Sequence, residues 1–426
     1  MAPFPLFIPM RSLLTLTLAS LFASATAAEV SFSKQTLTKD FVAEGVAVAD
    51  FDHDGHMDVA AGGYIWFGPD FKRKESFTPQ QVHATGPNKT PYNGAIGYSD
   101  YFISYAHDFN GDGWADILVY GFPGDPAYLF INPQGKGGDW AKHNIFDVAD
   151  GESPALADIN GDGKPELLVH TSDLVKDAKK NKGRTGGQFG YAEIDWSNPT
   201  GKAKFHPITE KSPANDTKIF KYTHGYGAGD VNGDGLVDIL EKDGWYEQPK
   251  DLSKGEPWKF HPVKFAGHGG AQMYVYDVNG DGRPDVITSD HAHGYGLAWF
   301  EQNKDGTFTE HKLMGDTKAD APLGVNFSQV HAIELVDVNG DGLKDIVCGK
   351  RRWAHGTKGD VDPNDDPVLY WFELKRDGKG GATYIPHLID NDSGVGTQFW
   401  TGDINKDGKT DVVVANKHGV FVFTQK

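Results

Sequence analysis

The chain has 426 residues with 53 glycines, 10 Trp, 16 Tyr and 26 Phe, a mixture that suits many short strands joined by tight turns and argues against a helical protein. Its formal charge of −18 speaks against nucleic acid as a partner. A single cysteine, Cys348, excludes an internal disulfide.

Residues 1–28 read as a secretory signal peptide. Arg11 supplies the positive end, Leu13–Phe22 an apolar run too short to span a bilayer comfortably, and Ala25-Thr26-Ala27 a small-residue cleavage site. Met10 opens a second, cleaner start. No later stretch is apolar enough to span a membrane, so the mature chain, 29–426, is expected to be secreted or periplasmic. An exported chain without disulfides needs another staple, and extracellular calcium can supply it.

Val30–Leu37 is a strand that belongs to no repeat. From Ala47 onward one unit recurs seven times, with turns starting 47 to 72 residues apart, the mark of a repeat array. Each unit has an inner strand, a turn reading D-x-[DN]-x-D-G-x-x-[DE], a second strand, an aromatic third strand and a fourth. The turns place Asp50, Asp52, Asp54 and Asp58 in the first unit, Asp108, Asn110, Asp112 and Asp116 in the second, and Asp158, Asn160, Asp162 and Glu166 in the third. Asp230, Asn232, Asp234 and Asp238 follow in the fourth, Asp277, Asn279, Asp281 and Asp285 in the fifth, and Asp337, Asn339, Asp341 and Asp345 in the sixth. Asp403, Asn405, Asp407 and Asp411 form the seventh.

Oxygens at positions 1, 3 and 5 converge when the chain turns tightly, Gly at position 6 permits the turn, and the carboxylate at position 9 closes the shell. Hard oxygen ligands suit Ca²⁺. An EF-hand would need flanking helices and Glu at position 12, which only the fourth copy has (Glu241). Asx-type turns without metal are the plainer alternative. Several structural calcium ions are expected, and seven would bring the charge to about −4. The seventh unit ends at Lys426 after three strands. The pattern predicts an all-β fold in one domain: a seven-bladed β-propeller with calcium-binding DxDxDG turns, its ring closed by the N-terminal strand.

Each inner strand runs down to its turn and each second strand runs back, so residues before the one and after the other share the face opposite the turns. Histidines on fourth strands (His83, His143, His206, His261, His311, His387) recur unit by unit and read as structural. His170, His224, His268, His291, His293, His331, His355 and His418 fall on the upper face. His224, His268 and His331 open three neighbouring inner strands. Asp290 and His293 lie above the fifth unit, Arg351, Arg352, Trp353 and His355 above the sixth, and Lys417 above the seventh. Glu44, Asp100 and Glu152 stand on the opposite arc. Trp353 and Trp400 could stack on a sugar, although blade core is the equal alternative. His291-x-His293 on a strand would face alike and could grip a transition metal only with a third ligand from elsewhere. Insertions near 173–188 and 351–366 are exposed loops, spacers or covers.

DVNGDGLVDIL, DVNGDGRPDVI and DINGDGKPELL resemble FG-GAP/VCBS-type repeats over nearly the whole mature chain, a motif specific for fold and weak for function. Thr223-His224-Gly225-Tyr226-Gly227, running into Asp230, and Gly244-Trp245-Tyr246-Glu247-Gln248-Pro249 are similar to the propeller domain of aldos-2-ulose dehydratase-like proteins. That resemblance implies keto-sugar dehydration and bound divalent metal. The chain has no room for the cupin domains that follow in the fungal enzyme, so an isomerase step is not implied. Calcium-loop propellers of rhamnogalacturonan lyases are a vaguer resemblance.

Convergent imidazoles, guanidinium and carboxylates at a cleft are what an active site requires. The expectation is an exported carbohydrate-active lyase or dehydratase acting on a carbohydrate or keto-sugar. His224, His268, His331 or His293 would move protons, and Arg351, Arg352 or an additional divalent metal at the upper face would steady the enolate. Glu44, Asp100, Glu152, His170, Asp290, His355, Lys417, Trp353 and Trp400 would contact substrate. A non-catalytic glycan- or protein-binding propeller of adhesion type is the alternative.

Overall fold

The structure is a computed structural model that describes residues 30–79, 82–83, 97–174, 184–213, 219 and 221–426. The signal peptide expected at 1–28 lies outside the described residues, as does part of the insertion near 173–188. Among the described residues the only helix is a single 3-10 turn, Leu252–Lys254, and no helix is long and apolar enough to cross a membrane. The fold is an all-β propeller.

The motif-bearing hairpin recurs through the described chain. Ala47–Ala49 pairs with Asp58–Ala61, Ile103–His107 with Asp116–Tyr120, and the end of Ala141–Ala157 with Glu166–Leu174. Tyr226–Gly229 pairs with Asp238–Glu241, Gln272–Tyr276 with Asp285–Ser289, Val330–Val336 with Asp345–Lys350, and Phe399–Gly402 with Asp411–Asn416. Aromatic third strands pair next, Tyr64–Phe67 and Leu297–Gln302 among them. The last sheet takes its outer strand from the other end of the chain: Phe32–Thr38 runs antiparallel to Gly419–Gln425, with Phe32 opposite Gln425. The first and last units also meet at their inner strands, where the Thr397 N–H donates to Glu44 O at 2.8 Å.

Every second strand begins with the ninth residue of its turn, and that residue is a buried clamp. The carboxylate of Asp58 accepts from the N–H groups of Phe51 and Gly68, both at 2.8 Å. Asp116, Asp238, Asp285, Asp345 and Asp411 repeat the pattern, one oxygen for position 2 of the turn and one for the end of the third strand. Glu166 spends both oxygens within its own turn. Burial pushes these carboxyls up, Asp58, Asp116, Glu166 and Asp345 to about 7, against the pull of the backbone donors.

The position-6 glycines all sit at φ between 83° and 91°, where a Cβ would be strained. Position 4 is also left-handed, and in the first and seventh turns it is not glycine: His53 has φ 59° and Lys406 φ 63°. Both reach the next turn. His53 stacks on Trp114 at 3.8 Å and bonds Gly113 O at 2.8 Å, while Lys406 Nζ donates to Gly55 O. Elsewhere the residue ending a third strand reaches back to the position-2 carbonyl of the preceding turn. Asn132 does so to Phe51 at 2.9 Å, Gln248 to Ile159 at 2.8 Å, Gln302 to Val231 at 2.7 Å and Gln425 to Val338 at 2.8 Å. The turn-bearing rim is therefore laced from unit to unit.

Four of the fourth-strand histidines are structural. His206, His261, His311 and His387 each stack on the third-strand aromatic and bond a carboxylate, as His261 does with Trp245 at 4.1 Å and Glu247 at 2.7 Å.

Toward the middle of the molecule, Glu334 on Val330–Val336 meets the Tyr274 hydroxyl at 3.3 Å. Burial pushes its carboxyl up to about 8, opposed by the Tyr274 hydrogen bond. An unfolded Glu loses its proton near 4.3. Between these values the folded state holds more protons, so stability is full below about pH 4.3 and falls as pH rises, by up to ~1.4 kcal/mol per unit. Glu334→Gln removes this slope. Urea unfolding from pH 5 to 8 should show the variant gaining steadily on the wild type, and parallel curves would refute the assignment.

Candidate active site

Four chain segments bring one imidazole or carboxylate each to a single point. Glu152 lies in the strand Ala141–Ala157, where its N–H donates to Thr223 O at 3.0 Å and so docks it beside His224. His224 sits just before the inner strand Tyr226–Gly229, followed by Gly225 at φ 79°. His331 is the second residue of Val330–Val336. His293 lies in the turn after Asp285–Ser289, held by Gln329, whose Nε2 donates to His293 O and whose N–H donates to Gly294 O, both at 2.7 Å.

The side chains meet closely. His224 Nε2 and His293 Nε2 are 3.0 Å apart, and Glu152 Oε2 lies 3.4 Å from His224 Nε2 and 3.2 Å from His331 Nε2. One ligand atom from each of the four residues falls within 4.8 Å of all the others. Arg351 closes the group from the side: its Nη1 lies 2.8 Å from His331 Nε2 and 3.4 Å from Glu152, and its Nη2 bonds Glu44. Glu44 in turn holds Lys417 Nζ at 3.0 Å. Arg351, Glu44 and Lys417 side chains are at most 2% exposed. Removing one partner of such a buried set typically costs about 3–5 kcal/mol because it strands a charge.

Electrostatics divide these groups by role. Burial, with Arg351 and the neighbouring imidazoles, drives His331 and His293 far below the usual histidine range, so both stay neutral, and His331 Nε2 accepts from Arg351 Nη1. Burial would raise Glu152, but His224 and His331 outweigh it and hold the carboxylate ionised. Burial opposes the charge on Arg351, and Glu44 and Glu152 more than restore it.

Three imidazoles and one carboxylate are the donor set of a divalent transition-metal site. Nitrogens held 2.0–2.1 Å from a tetrahedral ion stand roughly 3.3 Å apart, near the 3.0 Å found between His224 and His293. His293 Nδ1 and His331 Nδ1 are buried with no hydrogen-bond partner, while the Nε2 atoms of both rings are the ones that meet the rest of the group. The residues fit a metal.

The loop after Asp345–Lys350 covers this point. Asp360 accepts from the N–H groups of Ala354 at 2.8 Å and His355 at 2.7 Å, and lies 3.3 Å from His355 Nδ1. The exposed His355 ring stands 4.6 Å from that of His293. The Tyr98 hydroxyl fixes the loop through Ala354 O at 2.7 Å. At the other rim, the first turn alone gathers Asp50, Asp52 and Asp58 within 4.8 Å among the described residues when only acidic, histidine and cysteine side chains are counted.

Several residues expected at the site lie elsewhere. His268 is outside the metal group and stacks on His291 at 4.4 Å. His291 and His293 do not face alike, because Ala292 and His293 form a turn that separates them. His170 is buried edge-on against Phe189 and Tyr226 as blade core. Asp100 is not one of the four clustered residues. Arg352 stacks on Trp353, whose indole N–H donates to Pro363 O. Trp400 packs against the core around Val413 and Ile404. Asp360 and Tyr98 belong to the site without any sequence pattern to mark them.

A family model described as an FG-GAP-like repeat matches residues 108–169, 277–348 and 337–414. Rhamnogalacturonan endolyase YesW of Bacillus subtilis (strain 168) is 23% identical over 357 residues, 71% of this chain and 53% of that protein. The chain thus spans about half the length of the curated relative it matches. Among solved structures the chain is similar to an Agrocybe aegerita lectin studied for its recognition of non-reducing terminal N-acetylglucosamine. That match has a TM-score of 0.45 and 16% identity, covering 92% of this chain and 87% of that one. The structure of rhamnogalacturonan lyase YesW matches with a TM-score of 0.43 and 14% identity over 92% and 75% of the two chains. Saccharomyces cerevisiae Sqt1 gives 0.43 and 10% over 93% and 98%.

Proposed function

We propose that this chain, a member of the FG-GAP-repeat propeller family, is an exported, divalent-metal-dependent lyase or dehydratase acting on a carbohydrate by proton abstraction and elimination. The observation that carries the proposal is the convergence of Glu152, His224, His293 and His331 beside a buried, charged Arg351. The curated relative is a polysaccharide lyase by name, which supports the class of reaction. The seven hairpins are taken as blades of one ring, closed where Phe32–Thr38 pairs with Gly419–Gln425, with structural calcium in the acidic turns.

His224, His293, His331 and Glu152 would hold the catalytic ion. When bound, it would polarise the carbonyl or carboxyl oxygen next to the carbon that loses its proton. Arg351 supports the negative charge that grows on that oxygen. His293 and His331, kept neutral by burial, act as ligands and not as proton carriers. His355, exposed at the mouth and oriented by Asp360, is placed to take the proton from carbon. The C–O bond then breaks, a double bond forms, and the same imidazole returns the proton to the leaving oxygen.

The test is product formation. Wild-type protein loaded with Ca²⁺ and Mn²⁺ or Zn²⁺ should release unsaturated sugar from rhamnogalacturonan or a keto-sugar, read by ultraviolet absorbance and mass spectrometry. His355→Ala should lose about 100-fold or more in turnover while keeping its metal. Saccharide binding with no new product from either class would overturn the proposal.

A further inference from the structure

Beside the metal group, across the loop from Asp290 to Gly294, lies a second cavity of about 400 Å³ that the reaction chemistry above does not use. The loop serves both places. His291 lines the cavity, and His293, two residues on, joins the metal group. The geometry points to this cavity as a binding subsite for a neutral sugar unit of the same substrate, adjacent to the unit that reacts. This rests on the carbohydrate reading above.

Size and shape come first. A few hundred Å³ is the volume of a small-ligand pocket. One wall is the stacked pair of His268 and His291, with ring centroids 4.4 Å apart and planes 25° from parallel. That wall is pinned from behind, since Asp290 accepts from the Gly267 N–H at 2.5 Å and the His268 N–H donates to Asp290 O at 3.3 Å. The opposite wall is the strand Phe308–Met314, which contributes Glu310 and Lys312.

Charge then selects the ligand class. The lining has two lysines, Lys264 and Lys312, against three carboxylates, Asp290, Glu310 and Asp316, a formal balance of −1 with the imidazoles neutral. Lys312 is already paired with Asp316 at 2.7 Å. A carboxylated sugar would meet a slightly negative lining with one cation already engaged. Hydroxyls, each both donor and acceptor, match the mixture of ammonium, imidazole and carboxylate groups. The cavity would therefore set which neutral sugar stands next to the reacting one.

The test measures binding apart from turnover. Calcium-loaded full-length protein is titrated with L-rhamnose, lactose and cellobiose as neutral probes and with D-galacturonic acid as the charged one, followed by saturation-transfer NMR. His268→Ala and Glu310→Gln change exposed side chains, and the double variant should keep the wild-type melting midpoint. At least one neutral probe should bind the wild type and Glu152→Gln alike, and weaken at least about tenfold in the double variant, while galacturonic acid is indifferent to those two changes. No neutral binding, neutral binding unchanged in the double variant, or galacturonic acid taking the cavity in preference would overturn the subsite. Neutral binding lost in the double variant, in a protein that yields no unsaturated product, would leave the subsite standing and remove the lyase.

Discussion

Glu152→Gln should abolish turnover, by at least about 100-fold, and release one transition-metal equivalent while the fold survives. Glu152 is the one carboxylate in a group whose other three members are imidazoles, so it would supply the charge that a divalent ion needs. The amide keeps the shape of the side chain. It also relieves His224 and His331 of an anionic neighbour, while Arg351 retains Glu44. The expected signature is metal content down by one equivalent, calcium content unchanged, and a melting midpoint within a few degrees of the wild type. A Glu152→Gln protein that still turned over at a tenth or more of the normal rate would remove the metal group from the chemistry.

Calcium removal should act in the opposite way, on stability first. The ninth carboxylate is buried in all seven turns, and in the first Asp50, Asp52 and Asp58 come within 4.8 Å of one another. A cation that binds only the folded turn, at 100 times its Kd, adds about 2.7 kcal/mol. A few such turns equal the ~5–15 kcal/mol net stability of an ordinary domain. Exhaustive chelation should thus lower the melting midpoint by on the order of ten degrees or more, or abolish the cooperative transition. Calcium alone should restore the midpoint without restoring turnover, and Mn²⁺ or Zn²⁺ added afterwards should restore turnover. An unchanged midpoint in chelator would leave the acidic turns as metal-free Asx turns held by their own hydrogen bonds, such as those from Asp108 to the Gly111 and Gly113 N–H groups.

The turns were the most legible part of the chain. Their residues lie within nine positions of one another, so spacing alone marks the tight bend between two paired strands. That His224, His293 and His331 share one face was legible too, because strand direction fixes which end of a hairpin a residue occupies. How close each residue stands to the others on that face was not. His331 lies inside its inner strand and His224 two residues before one, and both reach the metal group. His268 lies four residues before its strand and ends in the neighbouring cavity. The same blindness put His170 at the site, although it packs against Phe189. The lodging of Arg351 between Glu44 and Glu152 depends on contacts between residues 199 and 307 positions apart in sequence, which no local pattern records.

X-ray absorption at the metal edge of protein holding Ca²⁺ in its turns and one equivalent of Zn²⁺ or Mn²⁺ tests the central claim most directly. The prediction is a first shell at about 2.0–2.2 Å with the multiple-scattering pattern of three imidazoles, reduced to fewer in His293→Ala. A shell of oxygens alone, unchanged in His293→Ala, would place the ion in the acidic turns and contradict a metal centre at the opposite face.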